Sequence, residues 1–157
     1  MTLNITVVTR RCIFQSADYR LIDWASGQPS DFSTQKCVLV GASNWNATVC
    51  FSGVGRAGSL DVSEWLSEHV GSLQLADPFE RLIDELLQAD RWLTSVPVTL
   101  RRHSFSVGAF VGSEPRFVLV SNYERVLTKP AAVAATALSV SEFRPVKPKT
   151  FLSGQAT

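Results

Sequence analysis

The alternation of apolar and polar residues predicts β-hairpins in both halves of the chain. Leu3 to Thr9 is β-branched and apolar, and Cys12 to Ala17 follows after two arginines, which is typical of an antiparallel hairpin. Two more strands are predicted at 36–42 and 47–52. A second hairpin is predicted from 104–111 and 115–121, with its turn at 112–114.

The spacing of apolar residues changes to a helical period over two central segments. The first has apolar or ring-bearing residues at 62, 65, 66, 69, 70 and 73, and the second at 79, 82, 83, 86, 87 and 93. Asp61 with Glu64 resembles a capping box for the first helix. For the second helix we expect Asp77 as the N-cap and Pro78 as the first helical residue, with Pro97 closing it.

The order of these segments predicts the fold class. Strands, a helical hairpin and then strands indicate an α+β fold, with helices on one face of an antiparallel sheet. Residues 24–34 are rich in Ser, Gly, Pro and Asp, which predicts a loop. Residues 131–140 fit a helix or a strand, because Ala favours the first and Val and Thr the second.

Composition limits the chain to one domain, 1–157, with an ordinary packed core. Hydrophobic residues make up 45 % and charged residues 18 % of the 157 residues. The net charge of +1 argues against general nucleic-acid or anionic-membrane binding. No apolar run approaches the roughly 20 residues that span a bilayer. The N-terminus has no signal-peptide pattern, so we expect a cytoplasmic protein.

The cysteines and histidines suggest neither a metal site nor a disulfide. Cys12, Cys37 and Cys50 form no CxxC pair, and their odd number suits a reducing compartment. Each lies in an apolar run, which predicts buried thiols. His69 and His103 have no partner at ligand spacing, so no zinc site is expected.

A glycine motif follows the fourth predicted strand. Gly53 to Gly58 spells GxGxxG before a helix, the pattern of dinucleotide-binding proteins. That fold needs a second parallel strand after the helix, whereas a second helix follows here. A strand-to-helix turn is therefore the preferred interpretation, and dinucleotide binding is a minor alternative.

Thr2, Asp18 and Lys36 are the residues best suited to catalysis. Removal of Met1 would give Thr2 a hydroxyl and a free α-amine, whose pKa of about 7.7–8.0 lets it act as a general base near neutral pH. A nearby lysine would lower that pKa further by charge repulsion, and an aspartate would orient the lysine. A backbone N–H would also be needed for the oxyanion.

Three runs of the sequence resemble the β-type subunits of proteasomes. They are 2–8, 13–20 and 35–38. Asp18 follows Thr2 by 18 − 2 = 16 positions in an Ala-Asp-x-Arg setting, as in that family, and Lys36 opens the next strand. Gly53 occupies the place of the family's oxyanion glycine.

The resemblance implies a fold and an activity. The fold would be the antiparallel αββα sandwich of N-terminal-nucleophile hydrolases, although the match covers only about the first two-thirds of the family domain and a C-terminal helical layer is missing. The activity would be cofactor-free and metal-free hydrolysis of peptide or amide bonds, with Thr2 as nucleophile, Lys36 and Asp18 as its support, and Gly53 as oxyanion donor. Substrate would lie near Leu21, Ile22, Phe51 and Gly55, and the protein would form a homo-oligomeric ring or stack, with or without an ATPase partner.

A second interpretation keeps the resemblance without the catalysis. The chain would then be a structural or assembly subunit in which Met1 is retained. Trp24, Trp45 and Trp92 are candidate surface aromatics for such contacts.

Overall fold

A computed structural model describes residues 3–18, 21–22, 29–31, 35–98, 100–123 and 134–154. Strands dominate the described part of the chain, and the helices lie in its middle. The elements are β1 (Leu3–Val8), β2 (Ile13–Ala17), β3 (Leu21–Ile22), β4 (Pro29–Asp31), β5 (Cys37–Gly41), β6 (Trp45–Gly53), β7 (Arg56–Ala57), β8 (Leu60–Asp61), α1 (Val62–Gly71), α2 (Phe79–Leu87), α3 (Asp90–Leu93), β9 (His103–Val111), β10 (Glu114–Tyr123), β11 (Ala134–Phe143) and β12 (Lys149–Gly154).

Two antiparallel sheets carry the architecture. One has three strands in the order β12-β1-β2, and the other has five in the order β11-β10-β9-β6-β5. The predicted hairpins are confirmed, since β1 pairs with β2 and β9 pairs with β10. Residues 134–143 form the edge strand β11, which resolves the ambiguity of that segment in favour of a strand.

The helices cover one face of the five-stranded sheet. Side chains of β6, β9 and β10 form a single apolar core with α1 and α2, including Phe51, Leu66, Leu86 and Phe105. The three-stranded sheet packs on the other face, and its own outer face leaves Phe14 64 % exposed.

The αββα sandwich is therefore wrong for the described residues. They form a helical layer and two sheets, with helices on one side only. The expectation came from the family resemblance, whereas the chain's own pattern of strands, two helices and strands supplies a single helical layer. The coarser prediction, helices on one face of an antiparallel sheet, agrees with this arrangement.

The start of α1 agrees with the prediction, whereas both ends of α2 differ from it. Asp61 caps α1 as predicted, accepting hydrogen bonds from the backbone N–H groups of Ser63 and Glu64. In α2 the N-cap is Pro78 rather than Asp77, whose carboxylate instead accepts from the Gln74 N–H. The predicted long second helix ends at Leu87, and a separate turn, α3, follows.

Two of the three cysteines form a disulfide, so the prediction of buried thiols is wrong for them. Cys37 and Cys50 are directly opposite each other on β5 and β6, with their Cα atoms 4.3 Å apart. The neighbouring Phe51 N–H donates to the Lys36 carbonyl, which makes 37 and 50 a non-hydrogen-bonded pair, the closer type of antiparallel pair. Sequence spacing gave no sign of this register. Cys12 is free.

Buried polar side chains lie between the two sheets, on the inward face of β1 and on the face of β9 that points toward it. In β1, Asn4 and Thr6 are buried at 1 % exposure, whereas Ile5 faces outward at 37 %. On β9, Ser104 and Ser106 share the face opposite the helices. The inward face of β1 thus carries two polar residues, Asn4 and Thr6, beside the apolar Val8 at 0 % exposure, while the apolar Ile5 faces outward.

Gly108 lies at a close contact between the two sheets. A Cβ atom there would lie 2.6 Å from Ile13 Cγ2, a distance that real Cβ atoms essentially never show, and 3.3 Å from Thr6 Cγ2, which is a tight contact. The absence of a side chain lets β9 lie directly under the β1–β2 hairpin.

Candidate functional site

A partly buried ion pair joins the two sheets at the end of β2. Lys36 Nζ lies 2.7 Å from Asp18 Oδ1, and the lysine side chain is 1 % exposed while the aspartate is 36 % exposed. Asp18 follows the last residue of β2, and Lys36 precedes the first residue of β5. Two of the three residues expected to support catalysis are therefore in direct contact, although 18 positions separate them.

Thr2 lies outside the described residues. It is joined to Leu3, the first residue of β1, and β1 pairs with β2 so that Asn4 is opposite Ala17. Leu3, the first described residue, is therefore one residue along β1 from the position opposite Ala17, and Ala17 directly precedes Asp18 of the ion pair.

Gly53 lies at the end of β6 in a conformation that glycine favours. Its φ is +102°, and a Cβ atom would lie 2.0 Å from the Arg102 carbonyl oxygen. Along β6 the Phe51 N–H points to β5 and the Val54 N–H points to Arg102. Because N–H directions alternate along a strand, the Gly53 N–H is directed to the β5 side, where Lys36 lies.

The structure describes the surroundings of Phe51 and Gly55, two of the four residues expected near substrate, but not the side chains of the other two, Leu21 and Ile22. Leu21 and Ile22 form strand β3, and their side chains lie outside the described part of the structure. The Phe51 side chain is 0 % exposed in the core beneath the helices, so only its backbone is available to a ligand. Gly55 is buried, and its carbonyl accepts from the Val62 N–H at the start of α1.

The glycine motif forms a small hairpin instead of a phosphate-binding turn. β7 and β8 pair antiparallel within and just after 53–58, and α1 begins only at Val62. All described strand pairs are antiparallel, whereas the dinucleotide fold uses parallel strands.

His103 is a buried titratable group that no sequence pattern singled out for a functional role. It lies opposite Gly53 on β9, is 0 % exposed, and its ring packs against Phe51, Trp92 and Phe105. Burial lowers its pKa from 6.5 to about 3, and the nearby Val54 backbone offsets only a minor part of this. The ring is therefore neutral at physiological pH.

The buried amides of Asn4 and Gln15 were also missed. The signal was present, since two polar residues at alternate positions of an otherwise apolar strand predict a polar interior on one side of that strand. The β-branched composition of β1 concealed it.

Trp45 is not a surface aromatic. It is 2 % exposed, packs against Phe79 and donates its indole N–H to the Asp77 carbonyl at 2.8 Å. Trp92 packs against the core, and Trp24 lies outside the described residues.

The described part of the chain has no helix long and apolar enough to cross a membrane. Among the same residues, no group of three or more His, Cys, Asp or Glu side chains is placed to hold a metal ion.

Comparison with known proteins adds no assignment to this geometry. No protein-family model matches the chain, and no curated protein matches it. A proposal about function therefore depends on the side chains themselves.

Proposed function

We propose that this protein is an N-terminal-threonine amidohydrolase that cleaves peptide or amide bonds after removal of Met1. The observation that carries the proposal is the 2.7 Å contact between the buried Lys36 ammonium and Asp18 at the point where strand β1 begins. A buried cation held by a carboxylate near the start of β1 suits the activation of the amine and hydroxyl that Thr2 would carry after removal of Met1.

The chemistry follows from the groups that this arrangement would provide. The Thr2 hydroxyl loses its proton to the α-amine, and its oxygen attacks the substrate carbonyl carbon. The Gly53 N–H stabilises the oxyanion. The C–N bond then breaks, the amine leaves with the proton, and water hydrolyses the resulting ester to release the acid and restore Thr2.

Lys36 has an electrostatic part in this scheme. Its positive charge disfavours protonation of the adjacent α-amine and favours a less protonated hydroxyl, while Asp18 fixes the direction of the lysine side chain. Neither residue transfers a proton to substrate. Their loss should slow the chemical step more than substrate binding.

The test is hydrolysis of fluorogenic peptide amides by the des-Met1 protein and its variants. Thr2→Ala should abolish turnover, and Lys36→Met should lower kcat at least about 100-fold with little change in KM, because the electrostatic support acts in the transition state. Thr150→Ala, a change on the exposed part of β12, is the matched control and should keep wild-type turnover. Undiminished turnover by Thr2→Ala would overturn the proposal.

A second candidate function is a non-catalytic structural subunit of a homo-oligomer. It is favoured by the outer face of the three-stranded sheet, where Ile5 and Leu152 are cross-strand neighbours and, with Phe14, are 37–68 % exposed. This candidate predicts retained Met1, a defined oligomer by light scattering and no hydrolysis. A monomer that hydrolyses peptide amides would contradict it.

Location and partners remain part of the proposal. We propose a peptide substrate and assembly with copies of the same chain, in keeping with the family resemblance. The expected cytoplasmic location is at odds with the Cys37–Cys50 disulfide, because such bridges are typical of oxidising compartments. Fractionation of the source cells tests the location, and sedimentation of the purified protein tests the assembly.

A further inference from the structure

Among the residues that the structure describes, three hydrogen-bonding atoms of Asn4 and Gln15 in the layer between the sheets have no partner. Asn4 is 1 % exposed, and neither its Oδ1 nor its Nδ2 has a hydrogen-bond partner. Gln15 Oε1 is also buried without a partner. Buried polar groups are paired in the great majority of cases, because leaving one unpaired is destabilising.

The Gln15 amide orientation is fixed by its neighbours. Its Nε2 donates to Thr6 Oγ1 at 3.0 Å and to the Ser106 carbonyl at 2.8 Å. Since a carbonyl can only accept, the nitrogen must face Ser106 and the oxygen must face away from it. The open acceptor on Gln15 is therefore a property of the packing and not of an arbitrary amide assignment.

Asn4 and Gln15 are diagonal neighbours on the same face of the three-stranded sheet. The register pairs Asn4 with Ala17 and Thr6 with Gln15. Diagonal pairs of this kind lie within reach of long polar side chains. One molecule between the two amides can therefore contact both.

We propose that Asn4 and Gln15 form an internal binding site for an ordered water molecule between the two sheets. Water matches the three open atoms: it accepts from Asn4 Nδ2 and donates to Asn4 Oδ1 and Gln15 Oε1. Three hydrogen bonds are the usual number for a buried water. The surrounding serines and threonine keep this part of the layer polar, in contrast to the apolar core beneath the helices.

The site is next to the Lys36–Asp18 pair, because Asn4 lies opposite the residue that precedes Asp18. In the proposed hydrolase, ordered water at this place would supply the step in which the acyl ester on Thr2 is hydrolysed. This second role rests on the proposed function, whereas the water site itself does not.

The test of the site is water-to-amide magnetization transfer by NMR on the full-length ¹⁵N-labelled protein. The Asn4 side-chain NH₂ should show a cross-peak to water with the sign of a long-lived, bound molecule. Asn122 is the matched internal control. It is equally buried, at 2 %, but its Oδ1 accepts from His103 N–H and its Nδ2 donates to the Arg101 carbonyl, so it should show none. Absence of the Asn4 cross-peak would overturn the proposal.

The melting temperature of Asn4→Leu is an independent measurement, because a hydrated site and a dry site predict changes of opposite sign. Asn4→Leu should lower the melting temperature by about 2–6 °C if it removes a hydrated hydrogen-bond network. A dry site would give the reverse, because replacing an unpaired buried amide by a side chain of similar size relieves a penalty. An increase in melting temperature therefore counts against the water site.

The supply role is tested by intact mass during turnover of a peptide ester. Asn4→Leu should accumulate the acyl form of Thr2 relative to the wild type. Equal accumulation overturns the supply role and leaves the water site standing. A wild type that neither turns over nor forms any acyl adduct overturns the proposed function instead, and the NMR result still decides the water site.

Discussion

At the scale of single residues, Lys36 and Asp18 differ sharply in their access to water. The lysine side chain is 1 % exposed and the aspartate 36 %. Removal of the carboxylate therefore takes one ionic partner from a charge that water cannot reach, whereas removal of the lysine leaves a carboxylate that water can solvate.

This asymmetry predicts unequal losses of stability. Asp18→Asn should lower the free energy of unfolding by about 1–3 kcal/mol, the partial exposure of Asp18 keeping the loss below that of a fully buried pair. Lys36→Met should cost less, since its apolar chain keeps the packing. Urea unfolding at pH 7 measures both, and a larger loss for Lys36→Met would contradict this account of the pair.

His103 makes the folded protein sensitive to acid. The pKa of its ring is about 3 in the folded state and about 6.5 when unfolded, so the unfolded state binds the proton first as pH falls. The stability that the folded state derives from a neutral His103 is fully present above pH 6.5, and it is lost progressively between pH 6.5 and pH 3.

A variant isolates this effect. His103→Phe, placed among Phe51, Trp92 and Phe105, keeps a ring and removes the titration. Between pH 7 and pH 5 the wild type should lose about 2 kcal/mol more unfolding free energy than the variant. Parallel losses measured by denaturant titration at the two pH values would contradict the assignment.

At the scale of elements, the Cys37–Cys50 disulfide holds the edge strand β5 against β6 directly beside Lys36. Within the described part of the chain, β5 is an edge strand that pairs with β6 alone, so few hydrogen bonds resist its separation. The bridge closes a loop with a sequence separation of 13.

Loss of this disulfide should lower the stability of the β5–β6 pairing and of the adjacent Lys36–Asp18 ion pair. The double variant Cys37→Ser with Cys50→Ser should lose about 3 kcal/mol of unfolding free energy, as expected for a loop of this length. Hydrogen exchange should increase first in β5. Cys12→Ser, which removes the free thiol, is the control and should behave as the wild type; equal exchange in β5 with and without the bridge would contradict the prediction.

The contact of the two sheets at Gly108 can be tested in the same way. Gly108→Ala should cost about 1–3 kcal/mol, because the new Cβ meets the stiff β-branched Ile13 at 2.6 Å. Gly71→Ala is the matched control. Its Cβ meets nothing within 4 Å, so it should be neutral or stabilise by up to about 1 kcal/mol. Thermal unfolding of the two variants separates the expectations.

Local pattern accounts for most of the elements that were predicted correctly. Both hairpins and the start of α1 depend on alternation, turn residues and a cap, which act within a few residues. The end of α2 and the state of residues 134–143 depend on packing between distant segments: Asp90, in α3, accepts the Leu138 N–H of β11. This contact joins residues 48 positions apart, so no pattern of neighbouring residues could predict it.

At the scale of the whole molecule, the sequence predicted the order of the elements along the chain but not how they form layers. The chain's own pattern predicted helices on one face of one antiparallel sheet, whereas the described strands form two main sheets, and the second helical layer came only from the family resemblance. The Lys36–Asp18 contact was predicted from that same resemblance. The disulfide and the polar layer between the sheets depend on strand register, which composition does not reveal.

The most direct test of the account is the mass of the N-terminus after treatment with a peptide epoxyketone. This electrophile requires both the hydroxyl and the free α-amine of a terminal threonine. If Thr2 is the nucleophile, Met1 is lost and one adduct forms on Thr2, more slowly by far in Lys36→Met and not at all in Thr2→Ala. A chain that retains Met1 or stays unlabelled, while Lys36 and Asp18 remain paired, would contradict the hydrolase and favour the structural subunit.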